Sequence, residues 1–200
     1  MQVLILTTCT GRKTLSNPQQ LTGEDFEKGM AHVRERAQKL PTVRAEDLYA
    51  GMAYRSILRG VAEARERGHQ VDLAILSCPG WGLIRGRQKI APYNYMWHGW
   101  SEAQAQRWSK ERGIARKVQA LVAEPYDLII VHLSPRYLAA CNFAEGTKFG
   151  GKTVFVVSNS NSALRLRALH KGTVMFCEGP GFASYQETGQ RIYKLLRRLK

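Results

Sequence analysis

Five short apolar runs, at residues 2–8, 71–77, 126–133, 152–157 and 173–177, limit what this chain can fold into. Each has the length of a strand and is too short for an ordinary helix. Between them lie segments of helical spacing, at 24–39, 52–67, 101–123, 134–144 and 161–171, and a last one opened by Ser184-x-x-Glu187. Strands separated by helices need crossover connections, which make neighbouring strands parallel and place helices over the sheet. The pattern predicts a single three-layer α/β domain over residues 1–200, with a mostly parallel central sheet of about five strands. Two hundred residues suit one such domain with a substantial core.

In sheets of this kind ligands bind outside the carboxyl ends of the strands. That rule selects Thr8, Cys9, Thr10, Gly11, Arg12 and Lys13 after the first run, and Ser77 to Trp81 after the second. It selects His132, Ser134 and Arg136 after the third, and Asn159 and Asn161 after the fourth. The richest stretch is 71–97, VDLAILSCPGWGLIRGRQKIAPYNYMW. Its glycines and proline end a strand and let backbone come close to a ligand. Trp81, Tyr93, Tyr95 and Trp97 offer faces on which bases stack, and Arg85, Arg87 and Lys89 offer charge to phosphates.

Charge agrees with that mixture. Thirty Lys+Arg against sixteen Asp+Glu leave a net +14. Such self-repulsion is most simply explained by an anionic partner, and nucleic acid fits better than a membrane surface. Nothing is long enough to span a bilayer, and the apolar run at the start lacks a basic leader and a cleavage site. Cys9, Cys78, Cys141 and Cys177 are widely spaced with no Cys-x-x-Cys pair, so they read as reduced thiols of a cytoplasmic protein without a metal. The expected partner is DNA, double-stranded with one nucleotide flipped out, bound by a monomer.

Four segments carry a resemblance. TTCTGRKT at 7–14, AEDLYAGMAYRSI at 45–57, LAILSCPGWGLI at 73–84 and IAPYNY at 90–95 together resemble the YaaA-like peroxide-stress family and its small bacterial and phage relatives. The resemblance covers roughly residues 3–97. It implies a fold like that of the uracil-DNA glycosylase superfamily. The segment His132-Leu133-Ser134-Pro135 is similar to the His-x-Ser-Pro loop with which that superfamily holds the departing base. Where relatives carry an acidic residue after Pro-Tyr, this chain has Asn94, and the superfamily's Gly-Gln-Asp-Pro-Tyr-type loop has no clear counterpart here.

The function expected from residues and resemblance is a DNA glycosylase that excises a modified, phage-hypermodified or damaged base and leaves an abasic site, without cofactor or metal. Excision needs a base pocket, stabilisation of an oxocarbenium-like sugar with an oriented water, and help for the leaving base. Tyr49, Trp81, Tyr93, Trp97, Thr8, Cys9, Ser134, Asn159 and Asn161 are the candidates for the pocket. Asp47 and Asn94 are candidates for orienting water, and His132 for the leaving base. Arg12, Lys13, Arg85, Arg87, Lys89 and Arg136 are candidates for phosphate. A Schiff base on Lys13 or Lys89 is chemically open, and nothing in the sequence chooses it. Plainer roles compete: His132 as a hydrogen-bonded core histidine, Asp47 as a cap, Asn94 as a turn residue. A non-catalytic DNA-binding protein, or an N-glycoside hydrolase or transferase on free nucleotides, are the alternatives.

Overall fold

The computed structural model describes residues 1–97, 99–169, 172–178 and 181–200, with side chains in the last segment described from residue 185. In chain order the elements are β1 (Gln2–Thr8), β2 (Leu21–Thr22), α1 (Gly23–Glu27), α2 (Met30–Ala37), β3 (Val43–Arg44), α3 (Ala45–Leu48) and α4 (Met52–Glu66). There follow β4 (Gln70–Ser77), β5 (Gly82–Arg85), β6 (Lys89–Ile90), β7 (Tyr93–Asn94), α5 (Glu102–Glu111) and α6 (Ile114–Val122). The last elements are β8 (Leu128–His132), α7 (Pro135–Cys141), β9 (Lys152–Val157), α8 (Ser160–Leu169), β10 (Thr173–Phe176) and α9 (Gly181–Arg197).

Six strands form one sheet in the order β10-β9-β8-β1-β4-β5. The first five are parallel neighbours, and β5 runs antiparallel to β4. The parallel strands are the five expected from the apolar runs. The sixth arises inside 79–86, where the glycines and proline predict only the end of a strand. Its four residues Gly82–Arg85 fold back on β4 as a hairpin, too short to announce themselves by pattern.

Side-chain alternation along the strands builds two cores. Val3, Ile5, Val71, Leu73, Ile75, Leu128, Ile130, Val154 and Val156 face one side, with Phe26, Val33, Leu48, Ile57, Val61, Ile192 and Leu196 of α1 to α4 and α9. Leu4, Leu6, Ala74, Leu76, Ile129, Val131, Phe155 and Val157 face the other, with side chains of α5 to α8. The sheet is therefore covered on both faces, which is why its strands read as continuous apolar runs instead of alternating ones.

Helix boundaries depart from expectation in two places. The segment 24–39 is two helices, because Gly29 takes φ 98°, a conformation that interrupts a helix and that glycine adopts freely. The last helix starts at Gly181, before Ser184, whose side chain lies outside the described residues. Gly113, at φ 64°, divides the segment 101–123 into α5 and α6. Among the described residues no helix is long and apolar enough to cross a membrane.

Candidate functional site

In chain order the parallel strands lie 2-1-3-4-5: from β1 the chain goes outward to β4 on one side and later to β8 on the other. Connections leaving in opposite directions open a crevice at the carboxyl ends of β1 and β8, the place where such sheets take ligands. A cavity of about 230 Å³ lies there. Cys9, Thr10, Gly11 and Lys13 line it from the loop after β1, and Ser134, Arg136 and Tyr137 from the start of α7. Tyr93, Tyr95, Met96 and Trp97 line it from β7 and the residues that follow. It is smaller than the roughly 300–1,000 Å³ of drug-sized sites, and suits one base-sized group.

The aromatic wall is held from behind. Tyr93 is buried, and its hydroxyl lies 2.9 Å from that of Tyr49 and 2.7 Å from Ser77 Oγ. Its ring reaches its place because residue 80 is glycine: an added Cβ there would sit 2.8 Å from Tyr93 Cε2. Phe26 stacks with Tyr95 at 5.8 Å and meets Tyr93 edge-on. Trp97 is stacked on Trp100 and tilted against Tyr137 at 4.8 Å. Its indole N–H is buried and has no partner among the described residues, a donor left over beside the cavity.

The polar side is set by Cys9, Tyr137, Lys13 and Arg136. Tyr137 Oη donates to Cys78 O at 3.2 Å, which uses its proton, so the Cys9 thiol donates to Tyr137 Oη at 3.1 Å. Burial raises the Cys9 pKa, outweighing the tyrosines and Lys13, so Cys9 is a thiol. Lys13 is half-buried, and its ammonium sits 4.5 Å from the centroid of the Tyr93 ring. Burial lowers its pKa, against the pull of Cys9. Arg136 is exposed and donates to Trp97 O at 3.4 Å. Ser134 opens α7, but its side chain makes no capping hydrogen bond.

His132 is elsewhere than expected. It is buried beneath the sheet end, and both ring nitrogens are taken. Thr188 Oγ1 donates to Tyr185 O at 2.5 Å, so it accepts from His132 Nε2–H at 2.7 Å. Nδ1 then accepts from Thr7 Oγ1 at 2.9 Å. A neutral imidazole satisfies every partner, and burial pushes the pKa from 6.5 down to about 4. His132 is therefore a strut between β1, β8 and α9, with no nitrogen to offer a leaving base. The sign of its contribution follows. Protons favour the unfolded chain, so its stability contribution is complete above pH 6.5 and is lost as pH falls through about 4. The amount is about 3 kcal/mol. In His132→Gln, denaturant midpoints measured between pH 6.5 and 4 should lose most of this acid slope; an unchanged slope would assign it to other groups.

The two candidates for orienting water also fall outside. Asp47 and Asn94 are exposed and do not line the cavity. Asn94 follows Tyr93 on β7, and side chains of successive strand residues point to opposite sides, so seating Tyr93 turns Asn94 away. Asp47→Ala and Asn94→Ala should each leave activity within about threefold and stability within about 0.5 kcal/mol, as surface changes do; a larger activity loss in either would bring that residue back into the site.

The remaining candidates divide. Cys9, Lys13, Tyr93, Trp97, Ser134 and Arg136 converge on the cavity. Tyr49 stands one layer behind, on Tyr93, and Thr8 is buried against Tyr185 at 3.3 Å. Trp81 donates to Ala91 O at 3.3 Å and lines a different cavity with Trp108, Arg34 and Arg112. Asn159 caps α8, accepting from Ser162 N–H at 2.9 Å, and with Asn161 lines a cavity between α7 and α8. Arg85 is carried by the hairpin to the amino end of β4, where it pairs with Glu124 at 3.4 Å and Asp72 at 3.7 Å. Arg12, Arg87 and Lys89 are exposed and line no cavity described here. Tyr137 and Met96 line the site without having been singled out. For Tyr137 the available signal was its place in the first turn of a helix that starts at a strand end.

Among the described residues no group of three or more His, Cys, Asp or Glu side chains is placed to hold a metal ion. No family model matches this chain, and no curated protein is significantly similar to it.

Proposed function

We propose that the protein draws one nucleotide out of a DNA duplex into the switch-point cavity and removes its base, acting as a DNA glycosylase on a modified or damaged base. The observation that supports this best is one juxtaposition: aromatic rings and two cations, Lys13 and Arg136, around a base-sized cavity on a chain of net charge +14. A flipped base needs faces to stack on and its phosphates need cations, and both stand on the same rim. Kinship with the YaaA-like family and a uracil-DNA glycosylase-like ancestry are part of the same proposal, since the segments that carry the resemblance supply Cys9, Lys13 and Tyr93. Four free cysteines suit a reducing, cytoplasmic setting, and a monomer on DNA is the simplest arrangement.

One observation favours a second reading, that of a protein which binds an extruded nucleotide without cutting it. Among the described residues no carboxylate lines the cavity, so no described side chain there is an obvious activator of water. The test uses duplexes each carrying one deaminated, alkylated or hypermodified base, incubated with the protein in EDTA and resolved on denaturing gels with and without hot alkali. Breakage at one modified base supports excision. Tight, salt-sensitive binding with no breakage on any duplex supports the second reading. Neither binding nor breakage would overturn both and point to free nucleotides.

A further inference from the structure

We propose that Lys13 is the nucleophile of this cavity and that the protein is also a strand-cutting lyase, working through a Schiff base on that lysine. The proposal rests on reading the cavity as a base-excision pocket. The sequence left Lys13 and Lys89 equally open to this chemistry, and the structure separates them. Lys89 is exposed on β6 and lines no cavity described here. Lys13 is the one amine among the described residues that line the cavity.

Three features suit Lys13 to the task. First, its backbone is fixed. It bridges Tyr49, while Ala50 N–H donates to Arg12 O at 2.9 Å and Thr14 N–H to Leu48 O at 2.8 Å. A nucleophile anchored on both sides is held in register with its target. Second, no carboxylate among the described residues forms an ion pair with it. Its neighbours are the Tyr93 ring and the neutral Cys9 thiol, and burial lowers its pKa from the usual lysine value, which eases loss of the proton before attack. Third, the charge of the phosphate has another holder. Arg136, in the first turn of α7, carries a guanidinium, which is no nucleophile. The lack of a carboxylate in the cavity then becomes intelligible, because an amine that attacks carbon directly needs no activated water.

The step balances as follows. The Lys13 Nζ lone pair attacks C1′, and the glycosidic bond breaks with its electron pair leaving on the base. The sugar ring opens as the C1′–O4′ bond pair moves to O4′. The two amine protons are released overall, one taken up by the base and one by O4′, which leaves a C1′=Nζ imine. The imine acidifies the proton on C2′. Loss of that proton and departure of the 3′-phosphate cut the strand, and water then hydrolyses the imine and frees Lys13.

The test presents the full chain with a duplex carrying one preformed abasic site, in sodium cyanoborohydride, which reduces an imine to a stable amine. We expect a covalent protein–DNA adduct on a denaturing gel, mapped to Lys13 by peptide mass, and lost in Lys13→Arg. That variant keeps the charge and should keep the melting temperature, so that loss of the adduct is not loss of the fold. Absence of an adduct with the unaltered protein while it binds the duplex would overturn the proposal. So would an adduct of undiminished yield in Lys13→Arg, which would place the amine elsewhere. Breaks at a modified base that need hot alkali, with no adduct, would keep base excision and reject the lyase. An adduct at Lys13 without excision of any modified base would keep the lyase and reject excision.

Discussion

Replacing Ser134 by phenylalanine is expected to lower base excision by at least about a hundredfold, the scale of loss when a reacting group is displaced. Ser134 lines the cavity where α7 begins, and its hydroxyl makes no capping bond that the change would remove. A ring added there competes for about 230 Å³ with the base proposed to enter it. Helix stability should change little, because a serine cap is worth its usual 1 kcal/mol or so only when it bonds the first turn. The melting temperature should therefore move by no more than about 4 °C. Binding to unmodified duplex should persist, since it draws on phosphate contacts over a wider surface. Gel assays of excision beside melting curves separate the cases. Full excision by a folded Ser134→Phe protein would mean that the base goes somewhere else.

A second substitution acts on the fold that carries the site. Gly189→Leu should destabilise the protein by more than about 3 kcal/mol, by forcing apart two packed helices. At Gly189 an added Cβ would lie 2.6 Å from Ala53 Cα, so α9 and α4 touch backbone to backbone. A backbone cannot rotate away as a side chain can. Beside Gly189 stands Thr188, which accepts from His132, and one turn earlier Tyr185 meets Thr8. Separating α9 from α4 therefore loosens the ends of β1 and β8 as well as the core. The expected readout is a fall in melting temperature of roughly 6–12 °C, at 2–4 °C per kcal/mol for a chain of this size. Gly189→Ala, with only the Cβ to place, should cost less. A Leu variant as stable as the original would show that the helices pack less closely than described.

Much of the fold could be read from the residues because the sheet is covered on both faces, so the parallel strands are apolar along most of their length. The strand ends then followed, and with them Cys9, Lys13, Ser134 and Arg136. The aromatic run after Pro92 supplied Tyr93 and Trp97. What could not be read was the direction of side chains and the contacts made far along the chain. Asp47 and Asn94 have suitable chemistry but point into solvent. His132 sits at the right strand end, yet Thr188, fifty-six residues later, holds its Nε2. Arg85 belongs to a basic stretch, but a hairpin too short to recognise sends it to the opposite end of the sheet, among carboxylates. Trp81, between two glycines, packs edge-on against Phe26 at 5.8 Å instead of facing the cavity.

The most direct measurement is a zero-length crosslink. A short duplex carrying 5-iodouracil at one mismatched position would be irradiated in complex with the protein, and the adducts mapped by peptide mass. If a nucleotide enters the switch-point cavity, the adducts fall on Tyr93, Tyr95, Met96, Trp97 or Tyr137, which line it. Adducts confined to the exposed basic residues Arg197 and Arg198, at and just after the end of α9, with none at the cavity, would contradict a nucleotide pocket at the ends of β1 and β8.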